Sequence, residues 1–349
     1  MRRLAQAVTV FLLLSVSFLV SPVASQPSQG NWVVTGTLVV QNESITLNGN
    51  LTVESGGNLT LSNVVLTVNG HSPGQYSIYV APGGSLYIYD STITAANLQD
   101  GYSFVVSGSH FVMKGSSIHG VGWCLAGLET CSYNAGRYQQ GSTTYPYGLE
   151  VLTNNALIQG NVVSMNVGGI GLSGLNEILA NNTIESDPLL PISLQSVSNS
   201  TIESNFVNDT TPFPNPAIQV SGWSEYNLFR NNTISCREQL ISGDEVSCFG
   251  LEMGGAWKNV VLDNRITNAA MCVWLQGGSS DNTVAGNRLE VGIGSGLYIL
   301  DGVGNRILNN SIQISPQWGG IGMTLTSAHN STIIGNEIFG GQGGGINMD

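Results

Sequence analysis

Residues 282–314 read NTVAGNRLEVGIGSGLYILDGVGNRILNNSIQI, and one pattern passes through them twice. Asn287-Arg288-Leu289 returns 23 residues later as Asn310-Ser311-Ile312, each Asn two places before an apolar residue. Between them, Leu297-Tyr298-Ile299 supplies an apolar-x-apolar step, and Ile307 stands three places before Asn310. A fixed period of this length points to a solenoid. Outward from this stretch the step recurs at Leu149-Glu150-Val151, Ile170-Gly171-Leu172, Ile192-Ser193-Leu194, Ile218-Gln219-Val220, Leu251-Glu252-Met253, Val273-Trp274-Leu275, Ile321-Gly322-Met323 and Ile346-Asn347-Met348. With Leu297 included, the intervals are 21, 22, 26, 33, 22, 24, 24 and 25 residues, one coil each. The Asn marker keeps phase at Asn161, Asn182, Asn205, Asn232, Asn264, Asn287, Asn310 and Asn336.

A strand of a few residues does not persist alone, but stacking pairs each one with the coils above and below. Alternation sends one set of side chains into a narrow apolar interior and the other outward. An Asn repeated at one bend satisfies backbone groups that the turn leaves unpaired, forming a ladder along the stack. The step continues upstream at Leu51-Thr52-Val53, Ile78-Tyr79-Val80 and Phe104-Val105-Val106. The expected fold is therefore all-β, a right-handed single-stranded parallel β-helix of about 12 coils that fills residues 26–349. Residues 26–48 are expected to form an irregular N-terminal capping coil. The last coil opens at Gly344-Gly345-Ile346 without a cap, which suggests a chain truncated in mid-coil or self-association through that edge.

Arg2 and Arg3, an apolar run from Val8 to Val20 and the small residues Val23-Ala24-Ser25 read as a signal peptide over residues 1–25. The protein is then secreted, extracellular or displayed at the cell surface. The whole chain carries a net charge of −12, which argues against a nucleic-acid partner. Asn-x-Ser/Thr occurs with Asn at 42, 50, 58, 181, 199, 208, 231, 309 and 330, readable either as glycan acceptors or as turn chemistry. Five cysteines in an exported chain suggest disulfides, with Cys124–Cys131 and Cys236–Cys248 the preferred pairs and Cys248–Cys272 a competitor.

These repeats resemble those of the pectate-lyase-like superfamily, most of all its NosD-type parallel β-helix proteins. The resemblance rests on Asn181-Asn182-Thr183-Ile184, Asn231-Asn232-Thr233-Ile234, Asn309-Asn310-Ser311-Ile312, Gly286-Asn287-Arg288-Leu289 and Gly335-Asn336-Glu337-Ile338. It implies that the Asn ladder lies between the second and third strands of each coil. It also implies that carbohydrate binds along the first strand, the Leu149, Ile170 and Ile192 series, beside loops that follow the third. The long insertions at 120–147, 209–216 and 235–248 fall in that gap. Calcium or copper is implied by the resemblance alone; no spacing of His, Met or Cys supports a metal, and no cofactor is expected.

The outward residues of the first strands are Thr52, Tyr79, Val105, Glu150, Gly171, Ser193, Gln219, Glu252, Trp274, Tyr298 and Gly322. Glu150 and Glu252, four coils or roughly 19 Å apart, are too distant to pair as the carboxylates of a glycosidase. Glu252, Trp274 and Tyr298 occupy successive coils, with Asp244 in the insertion just before them. An aromatic face beside an acid suits a sugar ring. Trp274, Tyr298, Glu252 and Gln219 are thus the candidate carbohydrate-binding residues, and Glu252 and Asp244 the best candidates should catalysis occur. The motifs of polygalacturonase-like enzymes are missing, and the DPHE step of alginate-epimerase-like ones is met only by Asp187-Pro188-Leu189-Leu190. His71, His110, His119 and His329 are scattered through separate turns. The preferred reading is a non-catalytic protein that binds a polysaccharide or cell-surface glycan or serves as a structural surface component. The alternatives are a polysaccharide lyase or glycoside hydrolase, and a copper-handling NosD-like protein.

Overall fold

The computed structural model describes residues 30–349 except 124–136, 141–142, 147, 186–188, 210–214, 237–238, 242–243, 247, 317–318 and 342. The leader expected at 1–25 and the pair Cys124 and Cys131 lie outside the described residues.

Each coil is built from three short strands whose side chains alternate in and out. In one coil these are Leu51–Val53, Asn58–Ser62 and Val65–Val68, with Leu59 and Leu61 buried between the half-buried Asn58, Thr60 and Ser62. First strands pair in parallel with first strands, second with second and third with third. The second strands make a 12-stranded sheet of their own. First and third strands share a 23-stranded sheet because Arg265–Gln276 and Arg288–Leu300 each run from a third strand into the next first strand without a break. Two antiparallel hairpins, Arg137–Gln140 with Thr143–Pro146 and Gln239–Ile241 with Asp244–Val246, interrupt the pattern in the segments that precede first strands.

Two parts of the expected register change. Trp32–Val34, Thr37–Gln41 and Ser44–Leu47 pair in order with the three strands of the following coil, so the segment expected to be an irregular cap is an ordinary coil. Its alternating Trp32, Val34, Leu38, Val40, Ile45 and Leu47 are all buried, which gives it the same interior as every other coil. Near the other end Leu297 pairs with Met323 and Tyr298 with Thr324, so Thr324 rather than Gly322 continues the outward column. Ile321 to Leu325 holds two overlapping apolar-x-apolar steps, and a slip of two residues keeps every side chain on its own face.

The core is one unbroken apolar rod. Ile78, Phe104, Leu149, Ile192, Leu251 and Leu297 are each at most 1% exposed, stacked in register on successive or nearby coils. Burying each such side chain contributes roughly 1.5–3 kcal/mol. Met253 and Met323 belong to this rod, whereas Met348, on the final strand, is 74% exposed because no described coil follows it.

Two side-chain ladders run beside the rod. Asn161, Asn182, Asn205, Asn232, Asn264, Asn287, Asn310 and Asn336 lie between second and third strands, each Nδ2 donating to the next Oδ1 at 2.9–3.0 Å. Ser116 extends the column upstream, its N–H donating to Asn161 Oδ1. A second ladder, not foreseen from the sequence, lies five residues earlier in each coil, between first and second strands. Asn227, Asn259, Asn282 and Asn305 are joined there Nδ2 to Oδ1 at 3.0–3.3 Å. Ser200 and Glu177 carry it upstream: Ser200 N–H donates to Asn227, Glu177 N–H to Ser200, and Ala156 N–H to Glu177 Oε2. Glu177 is 1% exposed and its Oε1 has no partner among the described residues. Burial pushes its carboxyl up to about 8, against the pull of the Ala156 N–H.

Six of the Asn-x-Ser/Thr asparagines, Asn42, Asn181, Asn199, Asn231, Asn309 and Asn330, take positive φ between 51° and 56°. Asn tolerates this left-handed geometry better than most residues, which accounts for its choice at these bends independently of glycan.

Candidate functional site

The outward column of the first strands runs Thr52, Tyr79, Val105, Glu150, Gly171, Ser193, Gln219, Glu252, Trp274, Tyr298 and Thr324. Glu150 and Glu252 stand four coil steps apart in this register, about 19 Å at the spacing of paired strands.

Much of the column faces cover rather than water. Glu150 is 3% and Ser193 1% exposed, and Leu149–Val151, Gly168–Leu172 and Leu189–Leu194 are buried on both faces. The expectation of a solvent-facing groove along all first strands therefore fails over these coils. Leu149–Val151 follows the long segment that carries the hairpin, whose strand Thr143–Pro146 lies beside Ser103–Val106, whereas Gly168–Leu172 and Leu189–Gln195 each follow the preceding third strand after only three residues. The column reopens partly at Gln219, Trp274, Tyr298 and Thr324, all half-buried.

At this opening five side chains meet. The Trp274 indole and the Tyr298 ring lie 5° from parallel with centroids 6.2 Å apart, offset along the stack. Phe249 meets Trp274 edge-on at 5.2 Å and 75°. Gln276 Nε2 donates to Glu252 Oε1. Gln276 shares the outward face of Trp274 two residues on, and its Cα pairs with Gly254, so its amide reaches diagonally back to the acid. Glu252 is 9% exposed, and burial raises its carboxyl above the usual range while the Gln276 bond lowers it. The Trp274 Nε1–H is buried without an acceptor among the described residues. Phe249, Gln276 and Thr324 are the members that sequence reasoning missed. Period-2 alternation from Glu252 and Trp274 was the signal available for Gln276.

Cys236 ends a third strand and Cys248 precedes the first strand Phe249–Gly254; the two form a disulfide that closes the base of the Gln239–Val246 hairpin. This ties the insertion to the strand that carries Glu252. Asp244 opens the second strand of that hairpin, and its side chain lies outside what is described. Cys272 is a free, fully buried thiol donating to Glu290 C=O at 3.4 Å, and burial holds it far above the ordinary thiol range.

The remaining chemistry-bearing groups do not converge on this face. His110 Nδ1 lies by Ser85 Oγ and His119 Nδ1 by Ser164, on second and third strands. Arg265 pairs with Arg288 on third strands. Among the described residues no three His, Cys, Asp or Glu side chains come together as a metal site. Also among them, no helix is long and apolar enough to cross a membrane.

No curated protein matches the chain. Solved structures do. The periplasmic alginate epimerase AlgG superposes with a TM-score of 0.57 at 11% identity, over 88% of this chain and 78% of that one. A double mutant of AlgG gives 0.59 at 12% identity over the same shares. The Dettilon tailspike protein gives 0.52 at 17% identity, over 91% of this chain and 61% of that one. At such identities the likeness is one of fold. The profile described as "Right handed beta helix region" matches residues 49–247 and 236–349, which between them take in nearly every coil, and the chain belongs to the right-handed β-helix family.

Proposed function

We propose that this chain is an exported, polysaccharide-binding β-helix whose ligand rests on the first-strand sheet at Gln219, Glu252, Trp274 and Tyr298. The observation that carries the reading is the near-parallel Trp274 and Tyr298 pair beside a carboxyl held in place by Gln276. Aromatic faces stack on the C–H face of a pyranose while an oriented acid and amide take its hydroxyls. The fold shared with a periplasmic alginate epimerase and a tailspike agrees with an exported, glycan-facing protein. Binding without cleavage is favoured by the four-coil separation of Glu150 and Glu252, too wide for a two-carboxylate mechanism.

A second reading, a lyase or hydrolase acting through Glu252, is favoured by the burial that raises its carboxyl toward the range of a general acid or base. One experiment separates the two. The protein is run in native gels containing β-glucan, mannan, xylan or alginate, and the same polysaccharides are assayed for new reducing or unsaturated ends. Retardation lost in Trp274→Ala, without new ends, is expected. New ends that disappear in Glu252→Gln establish the enzyme, and no retardation by any polysaccharide rejects both.

A further inference from the structure

The turn between first and second strands places up to three residues per coil in the left-handed region. On other coils the left-handed residues of this turn are small or short polar ones, among them Asn176, Ser196, Asn199, Gly278, Asp281, Asp301, Ser327 and Asn330, mostly types that accept φ > 0 at low cost. On two adjacent coils the pattern breaks. Trp223 (φ 66°) and Tyr226 (φ 58°) share one turn with Gly222 (φ 67°), and Lys258 (φ 54°) follows Trp257 in the next.

These large side chains cover little. Trp223 is 71% and Tyr226 51% exposed, while the core beneath, Val197, Val220 and Ala256, lies closed as it does on coils whose turns carry only small residues. The corner is nonetheless ordered. The Trp223 and Trp257 rings meet at 4.5 Å and 61°, and Lys258 Nζ donates to Tyr226 Oη at 2.9 Å, 5.1 Å from that ring's centroid. An exposed indole packed edge-on against Trp257, in a backbone conformation it disfavours and beside polar groups joined to one another, has the makings of a ligand platform.

We propose that the Trp223–Trp257 corner is a second saccharide site, taking a neutral pyranose whose ring stacks on Trp223. Hydroxyls at the ring's edge are met by Tyr226 Oη, Lys258 Nζ and the Glu225 carboxylate. The charge argues for a neutral sugar. Lys258 is the corner's one cation among the described residues, and Glu225 and Asp281 both lie near enough to act on it. With two acids to one base, in a chain of net charge −12, a polyuronate is repelled. This site stands on observations separate from those for the first-strand groove, and either can fail without the other.

The test is ¹⁹F NMR of the full chain carrying 5-fluorotryptophan, with the Trp223 and Trp274 resonances assigned by single Trp→Phe variants. Neutral glucan, mannan and xylan oligosaccharides are titrated to about 10 mM, with oligogalacturonate as the anionic control. The expected result is a saturable shift of Trp223 with a neutral sugar, unchanged in Trp274→Ala. Trp223→Asn, which suits the turn, then weakens binding about tenfold without lowering the melting temperature. No shift of Trp223 with any neutral sugar overturns the proposal, as does a response to oligogalacturonate alone. A shift that follows protein concentration alone assigns the corner to a second copy of this chain and overturns it equally, and a lower melting temperature in Trp223→Asn makes the indole a structural cover.

Discussion

Gln276 holds Glu252 across the gap between two coils, donating its amide N–H to a carboxyl that burial pushes toward neutrality. The bond favours the ionised acid. Gln276→Ala therefore raises the Glu252 pKa further. Ligand binding that depends on the carboxylate then shifts its midpoint to higher pH, and binding curves recorded across pH read the displacement. An unchanged profile would mean that Glu252 is not part of the site.

Glu177 makes the stability of the rod depend on pH. Its folded pKa of about 8 lies above the ordinary carboxyl value of 4.5, so the protonated acid is the form that fits the ladder. Its contribution is complete below pH 4.5 and is lost as pH rises toward 8. The melting temperature should fall through that window, and Glu177→Gln, which puts an amide in the ladder as Asn227 and the rungs after it do, should flatten the fall. Parallel curves for the two proteins would contradict this.

The first ladder makes a graded prediction. Asn264 accepts from Asn232 and donates to Asn287 and to Phe229 C=O, all buried. Asn264→Ala strands several of these groups and costs about 1–3 kcal/mol for each one left unpaired. Asn336, at the more exposed end, should cost less in the same substitution. Denaturant melts compare the two, and equal losses would show that the rungs are not additive hydrogen-bonded units.

Cys272 should resist alkylation in the folded protein and react only after denaturation, since it is fully buried and its thiolate is strongly disfavoured. Mass spectrometry after an iodoacetamide pulse reads this directly. Rapid native labelling would place Cys272 at a surface instead.

The fold was legible because a parallel solenoid repeats its demands: one interior, one bend and one pairing partner per coil. The register could be followed from Thr52 to Tyr298 for the same reason, and slipped only where Ile321-Gly322-Met323-Thr324-Leu325 offers two equivalent steps. The second ladder was hidden because its upstream rungs are Ala156, Glu177 and Ser200, and only from Asn227 onward does its column become uniform. The burial of Glu150 and Ser193 was not legible at all. Alternation says which face a residue takes, and not whether that face is covered. Phe249 and Gln276 were missed for a related reason, since each joins the site through a diagonal contact between coils rather than by its place in the column.

The most direct measurement is a structure of the protein soaked with whichever oligosaccharide binds tightest. The account predicts a sugar ring against Trp274 or Tyr298, with hydroxyls within hydrogen-bond reach of Glu252. Ligand found on the second-strand sheet, or on third strands beside Arg265 and Arg288, would contradict it.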